Sequence, residues 1–187
     1  LEAAVAKGDA IEDAVAALLK TTLKKHKRII FNGNGYSQEW QKEAAKRGLL
    51  NHKNTVDALP EIVTPLVVKT FEKFKVLNER ELHARYEVNV ETYNKTINVE
   101  AQLMVLMANR YILPAALEYQ RAVAASVVAV KQASGVSKEG KKLLVKLIKT
   151  IDLFRAQTGV LEQALDHSAP SVEKHAKFMR DKVVPAM

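Results

Sequence analysis

From Asn78 to about Ser134 the sequence carries a helical pattern with almost no interruption. Leu82, Tyr86, Val90, Tyr93, Ile97, Met104, Met107, Tyr111 and Ala115 keep mostly to one stripe, at the three- and four-residue spacing of an amphipathic helix. At ~1.5 Å per residue such a helix reaches on the order of 80 Å, well beyond an ordinary globular helix. Asn78 opens it as a capping residue, answered by Glu81 three positions later. Pro114 lacks the N–H that a helix interior uses, so a kink or split is expected there.

The remaining segments fit around that rod. "SGVS", Ser134 to Ser137, reads as a turn. A second long helix follows, with Leu144, Leu147, Ile148, Ile151, Phe154, Leu161 and Leu165 on its apolar side and Gly159 as its weak point. Pro170 starts a short last helix that Pro185 should stop. Near the start, Asp9 is placed to cap a helix bearing Ile11, Val15, Leu18, Leu19 and Leu23. Ser37 caps the next one, with Gly48 in the position just past its end. Thr55 and Thr64 are further candidate caps, the second followed by Pro65 at the favoured first helical position. Only "RIIF", Arg28 to Phe31, looks extended. Short links between long amphipathic helices predict antiparallel neighbours, so the expected fold is all-α, an elongated antiparallel helical bundle with two long helices.

Cysteine is absent from the 187 residues, which removes disulfides and thiolate metal sites from consideration. No apolar run approaches the roughly 20 residues that span a bilayer, and the first residues have neither a basic nor an apolar leader segment. A cytoplasmic location without membrane contact is expected. The chain opens at Leu1 inside an alanine-rich run, which reads as an internal piece of something longer. The formal charge of +8 favours acidic partners, although Lys and Glu interleave along most of the chain as solvated helix faces. The one dense basic run, Lys20 to Arg28, ends a predicted helix, where cations offset the helix dipole.

Catalytic patterns fail one by one. A di-iron bundle needs inward Glu-x-x-His pairs on two helices. The nearest approach is the four-residue row Glu79, His83, Glu87 and Glu91, half a site at most, and an ion pair such as Glu91–Lys95 explains it as well. His167 and His175 flank a turn with Asp166 and Glu173 nearby, a thinner set still. No nucleophile elbow occurs. No metal or catalytic residue is assigned.

"NGNG", Asn32 to Gly35, leaves two readings open. Asn and Gly tolerate positive φ, successive N–H groups can form an anion-accepting nest, Ser37 opens a helix just after, and Lys27 and Arg28 lie just before. The stretch lacks the lysine ending of a P-loop and the third glycine of a dinucleotide fingerprint. The other reading is a tight corner in which the glycines permit the turn and Phe31 and Trp40 bury. Arg28, Asn32, Gly33, Asn34, Gly35, Tyr36, Ser37 and Trp40 are the candidate residues of this phosphate or domain-junction loop. Apolar anchors beside an arginine are typical of interface hot spots.

Four blocks carry a resemblance: "KKHKRIIFNGNGYSQEW", "EAAKRGLLNHKNTVDALP", "FEKFKVLNERELHARYEV" and "YNKTINVEAQLM". In this order and approximate spacing, from about Lys24 to Met107, they resemble the C-terminal region of type III glutamine synthetases. The resemblance implies a parent enzyme that uses ATP and a divalent metal, Mg or Mn, to phosphorylate the glutamate side-chain carboxylate, after which ammonia displaces the phosphate. It implies that the metal- and ATP-binding groups lie upstream, with none in this segment. It further implies that residues 1–30 are the helical tail of the catalytic domain and 31–187 an appended bundle. The parent is then a homo-oligomer of stacked hexameric rings, and the bundle has a structural, subunit-interface or regulatory role. The alternative from another class is a free-standing basic helical module that binds nucleic acid, resting on the net charge and the Lys20–Arg28 run. Aromatic residues are only 6% and follow apolar stripes, which gives that alternative no stacking platform.

Overall fold

The computed structural model describes residues 1–133 and 135–187, and among them there are helices and no strands. Ser134, where the long pattern was expected to end and the turn to begin, lies outside the described residues. The chain forms two compact units, residues 1–53 and 54–187, so residue 30 falls inside the first.

The first unit contains α1 (Glu2–Val5), α2 (Ile11–His26) and α3 (Gln38–Lys46). Asp9 does not cap α2: the capping position is Ala10, and no side chain bonds there. "RIIF" is not a strand. Lys27–Ile29 make a single 3₁₀ turn before the extended Ile30, and among the described residues there is no strand for it to pair with. Ser37 caps α3 as expected. Gly48 takes φ +67° after its end, with Gly48 N–H on Ala45 O at 3.1 Å and Leu49 N–H on Ala44 O at 3.0 Å. This double return satisfies carbonyls that the helix end would leave bare.

In the second unit, α4 (Thr55–Ala58) leads through a 3₁₀ segment (Leu59–Val63) to α5 (Pro65–Lys73). The cap of α4 is Asn54, one residue before Thr55, accepting from Asp57 N–H at 3.0 Å. Pro65 does occupy the first turn of α5. Then α6 (Glu79–Met107) runs through a π turn (Ala108–Ile112) into α7 (Leu113–Ala133). The Asn78–Glu81 capping box is formed in both directions, at 2.9 and 2.8 Å.

Pro114 does not split this helix. In the π turn the bonding shifts by one residue, Leu113 N–H to Ala108 O, which widens the helix ahead of the ring. The same device recurs at the other proline. After α9 (Val172–Phe178) a π turn (Met179–Val183) precedes Pro185, and the helix continues into α10 (Val184–Ala186) instead of stopping. Between these lies α8 (Lys138–Leu165), which passes through Gly159 unbroken.

Within this unit α8 runs antiparallel to α6 and α7. Asn109 Nδ2 donates to Glu162 Oε1 at 2.7 Å, and Val127 packs beside Gly140. Two buried clusters anchor the unit. Ala101, Leu161, Met179 and Val183 join α6, α8 and the second π turn, while Val56, Val90 and Ala176 join α4, α6 and α9.

The apolar stripes are covered unevenly. Leu82 and Val90 are buried, but Met104, Met107, Tyr111 and Ala115 of the same stripe are exposed. No residue of α7 is buried, because α8 alone lies along it. On α2, Ile11, Leu18, Leu19 and Leu23 are exposed too, and only Ala14 is buried. A stripe records an apolar face and does not say what covers it.

Candidate functional site

The NGNG loop is a hydrogen-bonded corner between the 3₁₀ turn at Lys27–Ile29 and α3. Asn34 organises its apex: its side-chain Oδ1 accepts from Tyr36 N–H at 2.9 Å and its carbonyl from Ser37 N–H at 3.1 Å. Ser37 Oγ then accepts from Trp40 N–H at 3.3 Å. Asn32, Gly33, Asn34 and Gly35 are exposed, and none of them takes a positive φ, so the left-handed backbone of an amide nest is not used here. Tyr36 projects fully into solvent at 100% exposure, and the Arg28 side chain is likewise exposed.

Phe31 and Trp40 meet with ring centroids 4.4 Å apart and are half-buried. The Phe31 ring folds back over Gly33, where an added Cβ would stand 2.5 Å from it. Glycine is needed at 33 for that close approach, whereas nothing lies within 4 Å of a Cβ at Gly35.

The residue that ties the corner together is Arg47, which sequence reasoning missed. Its Nη1 donates to the carbonyls of Ile30 at 2.6 Å and Arg28 at 3.2 Å, and its Nε to Glu43 Oε1 at 2.6 Å. Its guanidinium also stands over the Phe31 ring, 5.8 Å from the centroid. The Arg47 hydrogen bond holds the Glu43 carboxyl below its ordinary range. The four-residue spacing of Glu43 and Arg47 was a visible signal; the reach to two loop carbonyls was not.

The other candidate rows do not converge. Glu79, His83, Glu87 and Glu91 line the outer surface of α6, and Glu91 pairs with Lys95 at 2.9 Å, as its spacing predicted. His167 stacks on Phe178 at 3.8 Å. Among the described residues no three His, Asp or Glu side chains come together in a set able to hold a metal ion.

Two polar features of the second unit also escaped sequence reasoning. Asn94, buried on the α6 stripe between Val90 and Ile97, donates from Nδ2 to Val172 O at 2.9 Å and so fixes the start of α9. Arg180 bonds Asp57 across 123 residues and Asp181 beside it, the latter at 2.6 and 3.0 Å. Asp181 is held below its usual range by the Arg180 hydrogen bond. Burial raises the phenols of Tyr86 and Tyr93. Asn94 was findable as a polar break in an apolar stripe; a contact across 123 residues leaves no periodic trace.

Taken together, these features describe all-helical units with a braced corner in the first, incompletely covered helical faces and, among the described residues, no His, Asp and Glu set able to hold a metal ion. The chain belongs to the glutamine synthetase C-terminal domain family, whose model matches residues 14–131. It is 33% identical over 152 residues to a glutamine synthetase of Butyrivibrio fibrisolvens, covering 81% of this chain and 21% of that protein. With the type-3 glutamine synthetase of Dictyostelium discoideum it shares 29% identity over 184 residues, 94% of this chain and 25% of the relative. With a glutamine synthetase of Bacteroides fragilis it shares 31% over 121 residues, 65% and 17%. The chain thus spans about a quarter or less of the length of these relatives. Among the described residues no helix is long and apolar enough to cross a membrane.

Proposed function

We propose that this chain is the non-catalytic C-terminal helical module of a type III glutamine synthetase, with a structural and subunit-interface role. The parent reaction is the ATP-dependent ligation of ammonia to glutamate, carried out upstream in a cytoplasmic, ring-forming homo-oligomer. By the family resemblance, ATP and Mg or Mn belong with that upstream body. Residues 1–30 lead out of the catalytic domain and 31–187 form the appended bundle. The Arg47 bonds to the carbonyls of Arg28 and Ile30 support a stiff hand-over between them.

The observation that carries this reading is the bare face of α2. Ile11, Leu18, Leu19 and Leu23 recur at helical spacing and stay exposed, and Ile29 and Ile30 continue the apolar surface beyond the helix. A clustered apolar face of this kind marks a surface that another body covers. The catalytic body occupies it, with the Phe31–Trp40 corner fixing the angle at which the chain leaves.

The test uses the parent polypeptide with Leu19→Asp and Leu23→Asp. Undocking predicts faster proteolysis around residues 27–37, while the same pair in the 187-residue chain leaves helix content unchanged. Equal proteolysis of substituted and unsubstituted parent sinks the docking role. ATP- and metal-dependent glutamine formation by the 187-residue chain alone sinks the non-catalytic assignment. A part for the loop in phosphate binding is tested at Gly35, where alanine has room; Gly33→Ala is uninformative because it displaces Phe31. Unaltered turnover and Michaelis constant for ATP in the Gly35→Ala parent leave the loop as a junction only.

A further inference from the structure

The strongest unexplained surface is the start of α8, at the tip of the hairpin it forms with α7. Lys138, Lys141, Lys142, Lys146 and Lys149 crowd its first half, with Glu139 the only acidic side chain among them. Glu139 pairs with Lys142 at 2.7 Å, and the other four lysines make no ion pair among the described residues. The stems of Lys141, Lys142, Lys146 and Lys149 wall a shallow slot floored by Val145, which is 51% exposed.

These cations stand where the helix field opposes them. Ser137 caps α8 by accepting from Gly140 N–H at 3.0 Å, so Lys138, Lys141 and Lys142 lie in its first turns, at the positive end of the dipole. The basic residues of α2 show the ordinary arrangement, with Lys24, Lys25 and His26 in the last turn. A chain selected for stability alone would place acidic residues at the start of α8. Local rules are broken in this way where a surface is shaped for a partner. The patch also lies beyond the residues matched by the family model.

We propose that the first half of α8 docks an acidic polypeptide segment carrying an apolar side chain flanked, one helical turn on either side, by carboxylates. The apolar side chain sits on Val145 among the lysine stems, and the carboxylates take the ammonium groups of Lys141, Lys142, Lys146 and Lys149. Polypeptide is favoured over the other polyanions by what the surface lacks. No arginine occurs between Arg121 and Arg155, so no guanidinium fork is offered to phosphate. No aromatic residue occurs between Tyr119 and Phe154, so neither base stacking nor insertion into a lipid interface has its usual anchor.

The experiment titrates the 187-residue chain into a labelled peptide carrying Glu one turn on either side of Leu, by fluorescence anisotropy. A scrambled peptide of the same composition, single-stranded DNA and vesicles of phosphatidylserine with phosphatidylcholine are run in parallel. Lys146→Glu with Lys149→Glu should weaken peptide binding roughly tenfold or more, and Lys24→Glu with Lys25→Glu on α2 should leave it unchanged. Lys138→Glu with Lys141→Glu should weaken binding while holding or raising the melting temperature, because the new charges suit the helix dipole. That variant separates lost docking from lost folding. The proposal is overturned by no peptide binding, by equal binding of the scrambled peptide, by equal loss on reversing the α2 lysines, or by tighter binding of DNA or vesicles than of peptide.

Discussion

α6 and α7 are one continuous helix with two different fates. On α6, Leu82 is buried, and Val90 and Ala101 are closed off by α4, α8, α9 and the second π turn, whereas no residue of α7 reaches full burial with α8 as its neighbour. The apolar periodicity continues through both halves, so the sequence pattern does not separate them. What separates them is the number of helices that return to cover each face. Stability therefore concentrates around residues 82–108, and the α7–α8 hairpin contributes surface.

The largest expected effect tests that division directly. Leu82 is 1% exposed, so Leu82→Ala should cost about 2–5 kcal/mol of unfolding free energy. Leu117, on α7 and 46% exposed, should cost about 0.5 kcal/mol or less when truncated the same way. Thermal or urea unfolding of both variants measures the contrast. Comparable losses would mean that α7 is as well packed as α6, and the comparison would collapse.

Elements governed by neighbours a few residues away were legible in the sequence. The Asn78–Glu81 box, the Ser37 cap, the Gly48 terminator and Pro65 at the start of α5 each depend on groups within five positions. The prolines misled for a physical reason. Proline forbids one hydrogen bond, but a π turn ahead of it re-routes the neighbouring bonds, and nothing local announces that at Ala108–Ile112 or Met179–Val183. At the candidate loop the Ser37 cap was legible, but the brace was not. Arg47 meets the Arg28 and Ile30 carbonyls only because the loop path brings them back to α3. Periodicity identified the α2 stripe as apolar and said nothing about whether this chain would cover it.

A smaller effect is expected at the end of α5. Lys75 holds φ +54° just past that helix, the position Gly48 fills after α3, and its N–H returns to Glu72 O at 3.0 Å as Val76 N–H returns to Phe71 O. A left-handed non-glycine residue costs roughly 1–2 kcal/mol. Glycine gives back about 0.4–1 kcal/mol through the freedom of the unfolded chain. Lys75→Gly should therefore stabilise the second unit, by about 0.5 kcal/mol on these figures. A lower melting temperature would show that Lys75 does more than terminate a helix.

The smallest effect lies in the first unit and is read by its single tryptophan, Trp40. Glu43 is held below its ordinary value by the Arg47 hydrogen bond, so its contribution is present above the unfolded carboxyl value and is lost as pH falls through the lowered folded one. Glu43 lies at the surface, where solvent screening keeps such a contribution small. Protonation frees Arg47 from one of its partners, and the same side chain ties Ile30 and lies over Phe31, which packs on Trp40. Trp40 fluorescence should then show an acid transition below the usual glutamate range. In Glu43→Gln the transition should disappear, because the neutral amide holds Arg47 equally at every pH. Persistence of the same transition in Glu43→Gln would mean that another group titrates, and that the Glu43–Arg47 pair matters to the corner no more than exposed Leu117 matters to α7.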